Sequence, residues 1–99
     1  IPMDERAARL LTPEAGDLLA QVHRGLVALD SWTTQSTEAA VRAIAESREL
    51  GLGKLAQPLR AAVSGSTTSP GIFEVLEQLG REESLGRIAD AIELAKGKQ

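Results

Sequence analysis

Apolar residues recur at intervals of three and four positions along most of the chain, which is the periodicity of amphipathic α-helices. This pattern predicts five or six short helices separated by polar or glycine-containing turns. A short charged segment, Asp4 to Leu11, comes first. Five stripes of mainly apolar residues at helical spacing follow: Leu18, Val22, Leu26, Leu29; Thr37, Val41, Ile44, Arg48; Leu52, Leu55, Leu59, Ala62, Val63; Ile72, Val75, Leu76, Leu79; and Leu85, Ile88, Ala89, Ile92. We therefore predict an all-α fold, a compact bundle of short helices.

Local signals mark where these helices begin and end. The run Thr12–Glu14 is typical of a helix start, with an N-cap hydroxyl, a first-turn proline and a first-turn acid. Thr33 is predicted to cap the third helix, and Gly80 is predicted to end the fifth as a left-handed C-cap. Pro58 leaves two possibilities open, because the fourth helix either begins near Gln57 or is bent at this proline.

Composition agrees with the helical pattern and excludes several kinds of chemistry. The chain has 15 alanines and 14 leucines, no cysteine and a single histidine, His23. Alanine and leucine are strong helix formers. The absence of cysteine excludes disulfides and thiolate sites, and one histidine argues against a histidine metal cage or a Ser-His-Asp triad. We predict no catalytic residue, no metal site and no cofactor in this chain, with His23 a surface or half-buried histidine and Trp32 a core anchor at a helix junction.

The length of 99 residues predicts one domain over residues 1–99, in which residues 95–99 form a frayed tail. No apolar run approaches the roughly 20 residues that span a bilayer, and no signal-peptide pattern opens the chain. We therefore expect a soluble, cytoplasmic protein without membrane partners. Because position 1 is not methionine, we interpret the sequence as a piece of a longer protein.

The formal charge of −3 argues against an autonomous electrostatic binder of nucleic acid, since such domains are usually basic. The acidic excess lies in one half of the chain. Residues 1–50 contain five basic and eight acidic residues, whereas residues 51–99 contain six of each. The charge therefore still permits a module that reads a few RNA bases while another part of its protein holds the RNA backbone.

Arg60 and a short stretch after the fourth helix form the one segment that suggests ligand binding. A guanidinium can pair with a phosphate or lie across a base, and Pro70 and Phe73 offer flat apolar faces. Single-stranded RNA is read by stacking and by hydrogen bonds to base edges, which free N–H groups at a helix start can supply. The alternative is purely structural: Ser69 caps the fifth helix, Pro70 starts it, and Ile72 and Phe73 pack inward.

Three motifs in this half of the chain lie in register with those of a known family. They are GKLAQPLR over residues 53–60, SPGIFE over residues 69–74, and LGRE over residues 79–82. Together they resemble the C-terminal end of bacterial glutamyl-tRNA synthetases. The resemblance is strongest over residues 32–94 and continues in register back to residues 10–14.

This resemblance implies the second subdomain of the all-helical anticodon-binding cage of a class I synthetase, which joins glutamate to tRNA(Glu) using ATP and Mg²⁺. The ATP-binding signatures of that class are absent here, so the chain is expected to bind RNA without catalysing a reaction. Its implied partners are the anticodon loop of tRNA(Glu) and the catalytic and first helical subdomains of the parent enzyme. Arg60 matches the family's anticodon-contacting arginine, and Ser69, Pro70, Ile72 and Phe73 match residues around the splayed bases.

The chain departs from the family pattern before the fourth helix. Many relatives have glycine where Glu49 stands and lysine where Gly51 stands, so the glycine C-cap is expected to be displaced by two residues. Lys54 is kept and is a weaker candidate for contact with the RNA backbone. A second function stays open from the residues themselves, a helical protein–protein interaction module that docks a partner on its Ala/Leu faces.

Overall fold

Six helices follow one another in the part of the chain that the structure, a computed structural model, describes: residues 5–64 and 71–97. They are α1 (Glu5–Leu10), α2 (Pro13–Val27), α3 (Thr34–Ser47), α4 (Leu52–Ser64), α5 (Ile72–Leu79) and α6 (Arg81–Lys96). The described residues contain no strand, which confirms the predicted all-α fold.

The core lies between α2, α4 and α6, with α3 and α5 covering one side of it. The most extensive helix contact joins α2 to α6. These two helices approach closely, because a Cβ placed on Gly16 would lie 2.9 Å from the Cβ of Ala95. The fully buried large side chains are mainly aliphatic: Leu11, Leu19, Val22, Leu26, Val41, Leu55, Leu59, Val63, Leu76 and Ile88.

Both predicted N-caps are confirmed. The hydroxyl of Thr12 accepts a hydrogen bond from the backbone N–H of Ala15 at 3.1 Å, and Pro13 opens α2. Thr33 forms a capping box with Ser36, in which each side chain accepts a hydrogen bond from the other residue's backbone N–H. These bonds satisfy N–H groups that a helix start otherwise leaves without a partner.

Helix α4 begins at Leu52 and runs through Pro58, so it does not begin near Gln57, the first of the two predicted possibilities. Proline has no N–H, and the carbonyl of Lys54, four residues earlier, therefore lacks its usual helical donor. Pro58 is buried, as are Leu55 and Leu59 beside it. Burial of this apolar face offsets the lost hydrogen bond, and the helix continues to Ser64.

The predicted faces of α3 and α6 need correction. Arg48 is exposed and lies beyond the end of α3, although it was assigned to the stripe of that helix. In α6 the buried residues are Ser84, Ile88, Ala91 and Ala95, whereas Ala89 is exposed. The buried face is therefore rotated from the predicted one, and it includes Ala95, where α6 approaches Gly16 of α2 closely.

The end of α6 also differs from the prediction. Ala95 and Lys96 were predicted to belong to a frayed tail, but both lie in the helix, and Ala95 is fully buried. Burial of Ala95 against α2 holds the last turn in place. Residues 98–99 lie outside the described residues.

The predicted displacement of the glycine C-cap after α3 is wrong. Glu49 itself adopts a left-handed conformation with φ of 57°, and Gly51 does not have a positive φ. The backbone N–H of Leu50 donates to the carbonyl of Ala45 at 2.9 Å, and the N–H of Glu49 donates to that of Glu46 at 3.1 Å. These two bonds form a Schellman motif, whose geometry requires the left-handed residue at position 49 whatever its side chain.

One backbone carbonyl holds the corner between α5 and α6. The carbonyl of Leu76 accepts hydrogen bonds from Trp32 Nε1 at 2.7 Å, from the Gly80 N–H at 3.1 Å and from Ser84 Oγ at 3.3 Å. Gly80 has φ of 87° and ψ of 166°, a conformation open essentially to glycine alone. Its φ is positive as predicted, but its extended ψ differs from a left-handed cap, because Gly80 also begins α6 directly.

Trp32 joins this corner to the turn before α3. Its indole is half-buried against the core, and the guanidinium carbon of Arg81 lies 5.3 Å from the centroid of the ring. Trp32 is therefore the predicted anchor at a helix junction, and its indole N–H donates to the carbonyl of Leu76.

Candidate nucleic-acid interface

The sequence-predicted site residues that the structure describes lie on two helices in mutual contact, α4 and α5. Arg60 lies near the C-terminal end of α4, and Ile72 and Phe73 form the first turn of α5. Ser69 and Pro70, the predicted cap and helix-starting proline, lie outside the described residues.

Arg60 carries a buried polar atom without a partner. Its side chain is half-buried, and Nε has no hydrogen-bond partner. The guanidinium takes part in none of the ion pairs found among the described residues, although its backbone carbonyl accepts a hydrogen bond from Ser64 Oγ at 2.7 Å. A buried donor left unsatisfied costs about 1–3 kcal/mol, more when it is charged. The described residues therefore supply no hydrogen-bond acceptor for the Nε of Arg60.

Helix α5 begins later than the Ser69-Pro70 signal predicts. Its first residue is Ile72, and its N-cap is Gly71, which makes no side-chain cap hydrogen bond. Ile72 is only 3% exposed and its side chain belongs to the core. The side chain of this predicted site residue therefore has almost no surface with which to contact RNA. Phe73 is half-buried and packs against the core.

Glu74, which sequence reasoning did not single out, lies at the same helix start. It is exposed, and a Cβ placed on Gly71 would come within 2.6 Å of its Oε1 atom. The carboxylate therefore lies directly over the backbone of Gly71. An acid three residues after an N-cap is the sequence signal that could have indicated this position.

Lys54 lies apart from the other candidates. It precedes Arg60 by six residues on α4, which is about 9 Å along a helix axis and roughly 120° around it. Its side chain lines a groove of about 380 Å³ between α4 and the start of α2, together with Arg9, Thr12, Glu14 and Gln57. The structure thus places Lys54 and Arg60 on different sides of α4.

The orientation of α5 is held by its second turn. Glu77 accepts hydrogen bonds from the backbone N–H and from the hydroxyl of Thr34, the latter at 2.8 Å. These bonds stabilise the carboxylate and hold the pKa of Glu77 below its ordinary value of 4.5. Glu77 thereby ties α5 to the first turn of α3, close to the Trp32 anchor.

Other kinds of site find no support in residues 5–64 and 71–97. No group of three or more histidine, cysteine, aspartate or glutamate side chains there is arranged to hold a metal ion. None of the helices in this part of the chain is long and apolar enough to cross a membrane. His23 is half-buried and lines a shallow groove between α2 and α6, as predicted for a histidine without a special role.

Comparison with known proteins identifies the group to which this arrangement is similar. A family model described as an anticodon binding domain matches residues 1–92. The glutamate–tRNA ligase of Bradyrhizobium sp. (strain ORS 278) is 57% identical over 90 residues, which are 91% of this chain and 19% of that protein. Glutamate–tRNA ligase 1 of Brucella melitensis biotype 1 is 54% identical over 92 residues, 93% of this chain and 20% of that protein.

A solved structure has the same fold. The crystal structure of a glutamate tRNA ligase from Elizabethkingia meningosepticum, in complex with its amino acid, superimposes with a TM-score of 0.85 at 30% identity. The match covers 93% of this chain and 18% of that one. The chain therefore spans about one fifth of the length of the curated relatives that it matches.

Proposed function

The chain belongs to the anticodon-binding domain family, and on that premise we propose that it recognises the anticodon loop of tRNA(Glu) as part of a glutamate–tRNA ligase. The chain itself contributes RNA recognition and no chemistry. In this proposal ATP and Mg²⁺ are used by parts of the ligase outside the chain, the catalytic and first helical subdomains are its neighbours in the enzyme, and the enzyme acts in the cytoplasm.

The observation that carries the proposal is the unpartnered guanidinium of Arg60. Its Nε is buried without a hydrogen-bond partner, and α4 packs against the helix that carries Phe73. A guanidinium offers several N–H donors in one plane, which suits a base edge or a phosphate. Because Nε itself is buried, we propose that bound RNA meets the other N–H groups of the half-buried guanidinium, which the packing around Nε holds in place.

Phe73 and the backbone at the start of α5 complete the proposed surface. Phe73 is only half-buried, and stacking on an aromatic ring contributes about 1–3 kcal/mol per base. Ser69 and Pro70 are proposed to add a hydroxyl and an apolar face. Ile72 supports the surface from the core, because its side chain is almost fully buried. Lys54 is proposed only as a contact to a more distant part of the RNA backbone.

The charge of the chain is consistent with a domain that reads bases and does not hold the RNA backbone. Basic and acidic residues balance over residues 51–99, so electrostatic attraction to the RNA backbone is weak here. We propose that the rest of the ligase holds the tRNA backbone and that this domain reads a few unstacked bases.

The test uses the complete ligase that contains this chain. Arg60→Ala is expected to raise the KM for tRNA, while the activation of glutamate by ATP stays unchanged because the activation site lies elsewhere. Phe73→Leu, which keeps an apolar side chain in the core and removes the aromatic ring, is expected to do the same. The loss should be about 5-fold to 100-fold, the range of one charged hydrogen bond or one stacked base.

Arg24→Ala is the matched control, since Arg24 is exposed on α2 and forms no ion pair among the described residues. It removes the same charge away from the proposed surface and should leave the KM for tRNA nearly unchanged. Circular dichroism shows whether each variant keeps its helices. Wild-type kinetics for tRNA in both Arg60→Ala and Phe73→Leu would contradict the proposal.

A further inference from the structure

Arg60 on α4 and Glu74 on α5 are charged side chains of two contacting helices, and neither forms an ion pair among the described residues. Arg60 has a buried Nε without a partner, and Glu74 takes part in no ion pair of the described residues. The carboxylate of Glu74 lies over Gly71, on the same turn as Phe73. The proposed RNA surface therefore offers a donor, an acceptor and an aromatic ring.

A carboxylate at this position has a defined chemical preference. It repels phosphates, and it accepts hydrogen bonds but cannot donate them. A base with an exocyclic amino group, such as cytosine, presents that amino group as a donor and has ring and carbonyl acceptors beside it. Uracil presents a carbonyl oxygen at the corresponding position, which faces a carboxylate unfavourably.

We propose that Glu74 is a specificity-determining residue, whose carboxylate accepts a hydrogen bond from the exocyclic amino group of one anticodon-loop base. Arg60 donates to acceptors of the RNA, and Phe73 contacts a base face. This inference rests on the proposed function, because it assigns a base-reading role within the same surface. The carboxylate of Glu74 adds a negative charge to a site that must bind a polyanion. In this proposal, a gain in discrimination between bases compensates for the repulsion.

A structural role for Glu74 makes the opposite prediction. A glutamate at this position can also serve the backbone at its own helix start, as in a capping box. If that were its entire role, Glu74→Gln would keep the cap and remove one negative charge. The affinity for every tRNA would then rise slightly and equally, and this increase would shrink at high salt.

The experiment measures the binding of tRNA transcripts to the complete ligase by fluorescence anisotropy. Each anticodon position is varied in turn between cytosine and uracil. For the wild type we expect discrimination between the two bases at one position. Glu74→Gln should reduce that discrimination about 5-fold to 10-fold, because a hydrogen bond to a neutral acceptor is roughly half as strong as one to a carboxylate. Discrimination at the other positions should not change.

Two further variants separate position from charge. Glu82→Gln removes an exposed acid from the first turn of α6 and should not affect base discrimination. Gly71→Ala keeps the carboxylate but displaces it, because the new methyl group would meet Glu74 Oε1. Gly71 has a negative φ of −43°, and only the end of a flexible side chain must move, so folding stability should be nearly unchanged while discrimination falls.

The outcomes distinguish this inference from the function on which it rests. Equal gains in affinity for all transcripts, or unchanged discrimination in Glu74→Gln, would overturn the role of Glu74 even where Arg60→Ala weakens tRNA binding. If Arg60→Ala and Phe73→Leu both bind every transcript as the wild type does, the proposed function fails, and the role of Glu74 fails with it.

Discussion

Replacing Glu49 by glycine should stabilise the domain. Glu49 follows the end of α3 with φ of 57°, a conformation that crowds the Cβ of an L-amino acid against its own backbone. The side chain is exposed and forms no ion pair among the described residues, so its removal sacrifices no contact of that kind. Glycine has no Cβ and can keep the two Schellman hydrogen bonds without strain.

Two opposing terms set the magnitude. The left-handed conformation costs a non-glycine residue about 1–2 kcal/mol. Glycine loses about 0.5–1 kcal/mol more backbone entropy on folding than a residue with a side chain. The difference is a net gain of about 0.5–1 kcal/mol in the free energy of unfolding. For a domain of this length, that gain corresponds to a rise in Tm of about 2–8 °C.

The assay is urea and thermal unfolding followed by far-UV circular dichroism, with the wild type, Glu49→Gly and Glu49→Ala compared. Alanine removes the glutamate side chain but retains Cβ, so its stability should lie within about 0.5 kcal/mol of the wild type. Glu46→Gly, on the exposed side of α3, should lose about 1 kcal/mol, as glycine does inside a helix. If Glu49→Gly is no more stable than Glu49→Ala, the left-handed strain is not the cause.

Two further predictions concern stability. Because the pKa of Glu77 is lowered, the stabilisation by its hydrogen bonds to Thr34 is complete above pH 4.5 and is lost as the pH falls through the lowered pKa. The wild type and Glu77→Gln should therefore differ in Tm at neutral pH and converge in acid. A difference in Tm that is independent of pH would contradict this prediction. Gly16→Ala should destabilise by about 1–3 kcal/mol, because its methyl group would meet Ala95 at the crossing of α2 and α6. Gly86→Ala, in open space on α6, should instead stabilise by about 0.5–1 kcal/mol, and equal effects of the two substitutions in urea unfolding would refute the packing argument.

The all-helical fold and the starts of α2 and α3 were predictable because their causes are local. An apolar period of three to four residues specifies a helix, and a hydroxyl before a proline or before Ser36 specifies where it begins. The faces of α3 and α6 were less predictable. In α6 Ser84, Ala91 and Ala95 are buried and Ala89 is exposed, because the buried face is set by how the neighbouring helices pack against α6, as where Gly16 of α2 approaches Ala95.

The candidate site was predictable in its residue types but not in its geometry. The motifs pointed to Arg60 and Phe73, and both lie on the contacting pair α4 and α5. The buried state of Nε in Arg60 depends on how those helices pack, which no local pattern encodes. Lys54 belongs to the same motif as Arg60, but their separation of six residues places the two side chains on different sides of α4, and Lys54 lines a separate groove.

The sequence by itself determined the class of fold, the caps and the family motifs, since each depends on neighbours within a few positions. Tertiary structure alone decided three other features. It set the left-handed strain at Glu49, the convergence of Trp32, Gly80 and Ser84 on the carbonyl of Leu76, and the burial of Nε of Arg60 on a helix that packs against α5. The physical reason is that each of these depends on the path or packing of the backbone, which a pattern of neighbouring residues does not specify.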